Sequence, residues 1–508
     1  MERLDPRICY RALTTRDERF DGRLFVAVTS TGIYCRPVCP ARPAKLENCR
    51  FYRTAAAAQE AGFRPCLRCR PETAPELGSW RGTSNTVSRG LALIAAGELD
   101  GDEASVDRLA ERLGVGERQL RRLFQQHLGA SPLSVAQTRR VLFAKQLIHE
   151  TRLPMAEVAL AAGFGSVRRF NETFQQLFQR PPSAIRRKQT VALPEGSVAA
   201  SGVTVRLRYR PPYDWPAMLA YLRARAIDGV EAVEGERYRR TVREDGALGS
   251  VEVTHLPQVN CLAVTIRFPS VRGLPAIVAR IRRVFDLGAD VAAIGGHLAR
   301  DPLLAPLIAA RPGLRTPGGW DGFELAVRAV FGQQVTVEAG RQLAGHLTRL
   351  CGTRAREAQL EDGALLHAFP TPAEVASAEL TRLGMPQSRR QTLLALSQAA
   401  LAEPRLFEPL DTVEETVARL RAIRGVGDWT AQYIALRAAR EPDAFPASDR
   451  GLLRGASLRK GTLLTAEQLT ARAKRWRPWR AYAAQHLWAA DGATASPLAR
   501  HDQEITHA

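Results

Sequence analysis

The chain has 508 residues, 45% of them hydrophobic, a formal net charge of +20 and a pI near 10.4. That length exceeds one ordinary core and points to about three or four domains. The lack of any run of roughly 20 uncharged apolar residues excludes a helical membrane span, and the lack of an apolar stretch in "MERLDPRICYRALTTRDERF" makes a cytosolic location the expectation. The positive excess is carried mostly by arginine and is densest over residues 1–190, where 31 Lys/Arg face 19 Asp/Glu, so nucleic acid is the expected partner.

Two cysteine pairs come first in the chain. "YCRPVCP" holds Cys35 and Cys39, and "RPCLRCRP" holds Cys66 and Cys69, a C-x3-C and a C-x2-C separated by 26 residues. In a cytosolic chain this spacing suggests a metal site more than a disulfide framework, and four thiolates suit tetrahedral zinc. Chance clustering of inert thiols is the alternative. Cys9, Cys49, Cys261 and Cys351 lack paired spacing and are expected to be small core or surface residues.

The text around the pairs, "FVAVTSTGIYCRPVCPARPAKLENCRFY" and "AGFRPCLRCRPE", resembles the methylphosphotriester domain of Ada-type adaptive-response proteins, over a domain placed at 1–77. The resemblance implies one Zn²⁺ on Cys35, Cys39, Cys66 and Cys69, with Cys35 doubling as methyl acceptor and Thr31 and Arg42 contacting the DNA backbone. Four thiolates on one zinc leave a net charge of −2, which makes the acceptor sulfur electron-rich. Methylation removes one negative charge from a surface facing phosphates, so affinity for DNA should rise.

After an expected linker, "GSWRGTSN" (78–85), the pattern is helical to about residue 188. "SVDRLAERLGVGERQLRRLFQQHLG" spaces Val106, Leu109, Leu113, Val115, Leu120 and Leu123 around a glycine-containing turn, a helix-turn-helix pattern. Its second helix would present Glu117, Arg118, Gln119, Arg121 and Arg122, with Arg118 and Arg121 taken as DNA contacts. A second copy follows in "PMAEVALAAGFGSVRRFNETFQQLFQRPPSAIRR". The tandem, 85–188, resembles AraC-family DNA-binding domains, which implies promoter DNA and RNA polymerase as partners. A helical protein-interaction module is the other reading of these residues, since Phe164, Phe170, Phe174 and Phe178 are core on either.

A second linker, "QTVALPEGSVAASG" (189–202), precedes an α+β subdomain (200–295) in which "VTVRLRY", "SVEVTHL" and "CLAVTIRF" read as strands and "PAIVARIRRVF" as helix. From 296 to 492 the pattern is helical. In "LRAIRGVGDWTAQYIALRAAREPDAFPASDRGLLRG", Gly425 and Gly427 leave backbone N–H groups free to approach a phosphate. Joined to W-T-A-x-Y and an aspartate 20 residues beyond Trp429, the run resembles helix-hairpin-helix DNA glycosylases of the AlkA-like 3-methyladenine type. The resemblance implies Asp449 as catalytic carboxylate and Trp429, Tyr433 and Trp488 as a base pocket. It also implies a monofunctional enzyme, because Trp429 stands where lyase-active relatives carry lysine. Gln334 of "GQQV" stands where the pattern has a bulky apolar wedge, which puts duplex opening on a polar side chain. Asp449 also reads as a helix N-cap before "RGLLRG", and the aromatics singly as ordinary core.

The expected molecule is therefore multidomain: a small α+β zinc domain, an all-α double helix-turn-helix, an α+β subdomain and an all-α helix-hairpin-helix domain. It is expected to regulate the response to DNA alkylation and to excise alkylated purines from double-stranded DNA. The competing functions are a transcription factor with an inactive glycosylase fold and an enzyme for oxidised purines.

Overall fold

The computed structural model describes residues 4–75, 85–101, 105–186, 202–355, 365–457 and 464–494. Apart from Asn85 and Gly202, both expected linkers lie outside the described residues. The chain groups into two compact units, Met1–Tyr209 with Val242–Ala279, and Arg210–Thr241 with Arg280–Ala508.

The first unit opens with a four-stranded sheet of order β3-β1-β2-β4, formed by β1 (Phe25–Val28), β2 (Ile33–Cys35), β3 (Cys49–Tyr52) and β4 (Arg64–Pro65). The β1–β2 hairpin turns at Gly32, whose φ of +64° is open to glycine at little cost, and its register sets Val26 opposite Cys35. β4 lies parallel to β2, with Tyr34 opposite Pro65. That register brings the two cysteine pairs to one end of the sheet.

The two helix-turn-helices follow the expected pattern. Ser105 caps the helix Val106–Leu113 by accepting from Arg108 N, and Gly114 at φ +73° ends it. Leu109, Leu113, Leu120 and Phe124 are buried between this helix and Glu117–Leu128. In the second copy Ser166 caps Val167–Phe178. There the rings of Phe164, Phe170, Phe174 and Phe178 follow one another at centroid distances of 5.3, 4.8 and 5.3 Å.

Between the copies runs the helix Pro132–Glu150, and the cysteine-bearing sheet domain packs on it. Thr54 Oγ1 donates to Leu128 O at 2.9 Å, and Ser131 N donates to Glu60 Oε2 at 2.8 Å. Lys145, with its side chain 0% exposed, donates to Cys66 O at 2.9 Å and to Glu72 Oε2 at 2.7 Å. A buried pair of this kind is tolerable only when its hydrogen-bonding capacity is met, and Arg70 supplies Glu72 with a second donor at 3.0 Å. The same unit contains β5 (Val203–Arg208), β9 (Cys261–Arg267) and β8 (Ala247–Leu256), paired antiparallel in that order. The expected strands are all present. β5 is an edge strand, and its Arg206 N and O are taken up by Glu150 and Gln146 of the long helix.

The second unit contributes the hairpin β6 (Glu231–Glu234) with strand β7, which begins at Arg237, and then a helical body. Its core includes Phe331, Leu347, Leu393, Leu420 and Ile434, closed by Trp476, whose Nε1 donates to Asp301 Oδ2 at 2.8 Å. The helices Val413–Arg421 and Asp428–Arg437 flank a short hairpin, as the G-V-G run predicts. No helix among the described residues is long and apolar enough to cross a membrane.

Candidate functional site

The four paired cysteines come together. The Sγ atoms of Cys35, Cys39, Cys66 and Cys69 all lie within 4.8 Å of one another. Cys35 ends β2, the turn bonding Cys39 N to Arg36 O (3.1 Å) returns Cys39, and the bond from Cys66 N to Tyr34 O (3.0 Å) places Cys66. Backbone N–H groups of Arg36 and Arg68 donate to Cys69 Sγ and Cys66 Sγ, both at 3.3 Å, a pattern suited to sulfur that carries negative charge. Arg36 braces the centre from beneath through Asp21, Cys69 O and Thr73. An all-cysteine set this compact fits a tetrahedral zinc, and zinc is the ion these residues hold.

Cys39, Cys66 and Cys69 are buried, whereas Cys35 is half-buried and the most open of the four. Thr31 and Arg42 are exposed. Arg118 and Arg121 are exposed on the second helix of the first helix-turn-helix, with Arg121 paired to Glu117 one turn back at 2.5 Å. Cys9, Cys49 and Cys261 are buried, and Cys351 is half-buried.

In the second unit, Trp429, Tyr433, Asp449 and Trp488 converge. Trp429 Nε1 donates to Asp449 Oδ2 at 2.7 Å and Trp488 Nε1 donates to Asp449 Oδ1 at 2.9 Å. Oδ1 also accepts from Leu452 N at 3.0 Å, so the capping role and the pocket role coincide. Trp429 stacks on Tyr433 at 5.4 Å and 15°, and Tyr433 meets Trp488 edge-on at 6.2 Å. All three are only half-buried, in contrast to Trp476 at 1% exposure, and Tyr433 and Trp488 pack against the core at its edge.

Tyr221, Arg225 and Arg437 escaped the sequence reading. Tyr221 Oη lies 3.2 Å from Tyr433 Oη, although 212 residues separate them. Arg225 covers the Tyr221 ring at 4.1 Å. The one available signal was the run "AYLRAR", which puts Tyr221 and Arg225 one helical turn apart.

The hairpin is close-packed on one side and open on the other. Gly425 has φ +83°, and a Cβ there would stand 1.9 Å from Thr392 Oγ1. A Cβ on Gly427, which precedes the helix Asp428–Arg437, would meet nothing within 4 Å. Gln333 Nε2 ties the neighbouring loop to Gly425 O at 3.1 Å and to Thr430 Oγ1 at 3.0 Å. Next to it Gln334 is exposed and left-handed, with φ +56°.

Comparison with known proteins gives three family matches: the metal binding domain of Ada over residues 8–72, a helix-turn-helix domain over 109–188 and the AlkA N-terminal domain over 204–321. A Mycobacterium tuberculosis protein described as a probable bifunctional transcriptional activator/DNA repair enzyme AlkA is 42% identical over 481 residues, 94% of this chain and 95% of that protein. Escherichia coli DNA-3-methyladenine glycosylase 2 is 36% identical over 56% of this chain and 97% of its own length. Among solved structures, a 3-methyladenine DNA glycosylase from Archaeoglobus fulgidus is similar in fold, with a TM-score of 0.51 at 20% identity over 57% of this chain and 99% of that one.

Proposed function

Because the chain belongs to the family of bifunctional transcriptional activators and DNA repair enzymes that join an Ada-type metal-binding domain to an AlkA-type glycosylase, we propose that it accepts methyl groups from DNA methylphosphotriesters on Cys35 and excises 3-methyladenine-type purines by hydrolysis with Asp449. Its partners are alkylated and promoter DNA and, for activation, RNA polymerase. Its place of action is the cytoplasm, on the chromosome. The domains assigned to these tasks are 1–77, 85–188, 200–295 and 296–492.

At the cysteine centre, zinc when bound keeps the sulfurs deprotonated and electron-rich. Cys35 Sγ forms a bond to the methyl carbon as the methyl C–O bond breaks, and the electron pair leaves with the phosphate oxygen. A neutral triester becomes a diester anion and Cys35 becomes a thioether. Thr31 and Arg42, exposed near this end of the sequence motif, hold the backbone.

At the aromatic pocket the flipped base meets Trp429, Tyr433 and Trp488, whose faces suit a cationic purine. The C1′–N bond breaks with its electrons moving to the base. Asp449 stabilises the positive charge developing on the sugar and orients the water that adds to C1′. Gln334 fills the space the base leaves, and the backbone N–H groups near Gly425 and Gly427 hold the phosphate. With no amine at position 429, no Schiff base forms and the enzyme is monofunctional.

The observation that carries this reading is the pair of indole N–H groups on the two oxygens of one half-buried carboxylate. A helix cap needs neither. The test is release of 3-methyladenine from methylated DNA by the wild type and by Asp449→Asn; release at equal rates would refute it.

A further inference from the structure

A second charged group belongs to the same pocket. Arg437, eight residues after Trp429 on the same helix, is 2% exposed. Its Nη1 donates to Pro317 O at 2.8 Å and its Nη2 to Gln485 Oε1 at 2.9 Å, both neutral acceptors. Nε is buried and has no partner among the described residues. Cζ stands 4.8 Å from the ring centroid of Tyr221, 5.1 Å from Trp488 and 5.7 Å from Tyr433.

Buried guanidinium groups are ordinarily paired with carboxylates, since desolvating an uncompensated charge is costly. Arg437 instead spends its charge on rings of the pocket. Trp488 joins the two poles, with its N–H on Asp449 and its ring beside Arg437. Burial pushes the Tyr433 phenol up, yet the charges of Arg437 and Arg225, together with hydrogen bonds to Tyr221 and Arg225, more than offset this and leave it below its ordinary value.

Resting on the reading of this pocket as the base site, we propose that Arg437 is a specificity-determining residue, a buried positive charge with no carboxylate hydrogen-bonded to it among the described residues, that favours bases departing as anions over bases arriving as cations. In hydrolysis the C1′–N electron pair goes to the base and the water oxygen bonds to C1′. A neutral base leaves as an anion, which then takes up the proton that water releases. A cationic base leaves neutral, and the water proton passes to solvent. Positive potential at the base therefore stabilises the departing neutral lesion. It repels the arriving cationic one, and that repulsion is relieved as the bond breaks. For cationic lesions Arg437 weakens capture but speeds cleavage; for neutral lesions it speeds cleavage without weakening capture.

The test is single-turnover excision by the full chain from duplexes carrying hypoxanthine, a neutral base, or 7-methylguanine, a cationic one. The wild type is compared with Arg437→Met, of similar apolar length, and Arg437→Lys, which keeps the charge. For Arg437→Met the efficiency (maximal rate over half-saturating enzyme concentration) on hypoxanthine should fall on the order of tenfold relative to that on 7-methylguanine. The half-saturating concentration for 7-methylguanine should drop, and Arg437→Lys should keep the wild-type preference. Should Arg437→Met fail to fold, Arg437→Gln, which retains a donor for Pro317, carries the same expectation. An equal loss on both bases, or a Lys variant as altered as the Met variant, overturns the proposal. So does a wild type that releases 7-methylguanine but no hypoxanthine. Release of neither base by the wild type overturns the pocket reading, and this proposal with it.

Discussion

Trp488 donates its indole N–H to Asp449 Oδ1 at 2.9 Å while Trp429 occupies Oδ2 at 2.7 Å, so both carboxylate oxygens are held by donors. In Asp449→Asn the amide oxygen still accepts from one indole, but its NH2 faces the other, donor against donor. We expect a stability loss of about 1–2 kcal/mol, read as a lower urea midpoint, and a fall in base release on the order of a hundredfold or more. Trp488→Phe keeps an aromatic ring, though a smaller one, and removes one donor, so its rate should lie between those of the wild type and Asp449→Asn.

Cys35 is the one residue of the four-cysteine centre that is not fully buried and is expected to be the only methyl acceptor. Mass spectrometry after incubation with methylphosphotriester DNA should place the methyl on Cys35; a methyl on Cys39 or Cys66 would refute the assignment. The methylated protein should bind promoter DNA more tightly, most clearly at low salt, where one removed negative charge is least screened.

Gly425 and Gly427 predict opposite outcomes for the same substitution. Gly425→Ala places a Cβ 1.9 Å from Thr392 Oγ1 at positive φ and should destabilise the second unit by roughly 1–3 kcal/mol. Gly427→Ala meets open space and should leave the melting temperature nearly unchanged. If the hairpin approaches a phosphate at that point, Gly427→Ala alone weakens binding to an abasic-site duplex. Equal binding by Gly427→Ala and wild type would remove the hairpin from the interface.

Much of this was legible because its signals are local. Cysteine pairs, helix-turn-helix spacings and G-V-G runs are set within short stretches of chain, and each appears where its spacing predicts. The hairpin of β6 and β7 was missed because "EAVEGERYRRTVRE" places charges on both faces and hides its alternation. Tyr221, Arg437 and Lys145 were missed for another reason. Tyr221 Oη meets a partner 212 residues away and Lys145 one 73 away, and neither side chain departs from an ordinary helical pattern.

The Lys145–Glu72 pair gives the first unit an acid sensitivity. Burial alone would raise the Glu72 carboxyl, but the Lys145 ammonium at 2.7 Å and Arg70 at 3.0 Å more than offset it and hold it below the ordinary glutamate value. The pair's stabilisation is therefore complete above the unfolded carboxyl value and lost as pH falls through the lower folded one. Lys145→Met, which leaves a buried carboxylate with Arg70 alone, should cost about 3 kcal/mol at neutral pH and progressively less as pH falls and Glu72 takes up its proton. Fluorescence-monitored urea titrations at neutral and acid pH check both; an equal cost at the two pH values would deny the pair this role.

Thr54 closes the C-terminal carbonyl of one regulator helix at Leu128, and Glu60 accepts from Ser131 at the start of the next. The short bend between two helices of the reader is thus finished by side chains that the gene encodes 71 to 74 residues earlier. Swapping sensors between relatives is consequently a graft with a matched seam: a donor domain lacking a hydroxyl at position 54 and a carboxylate at position 60 would deliver its cysteines intact and leave the recipient's bend unfinished.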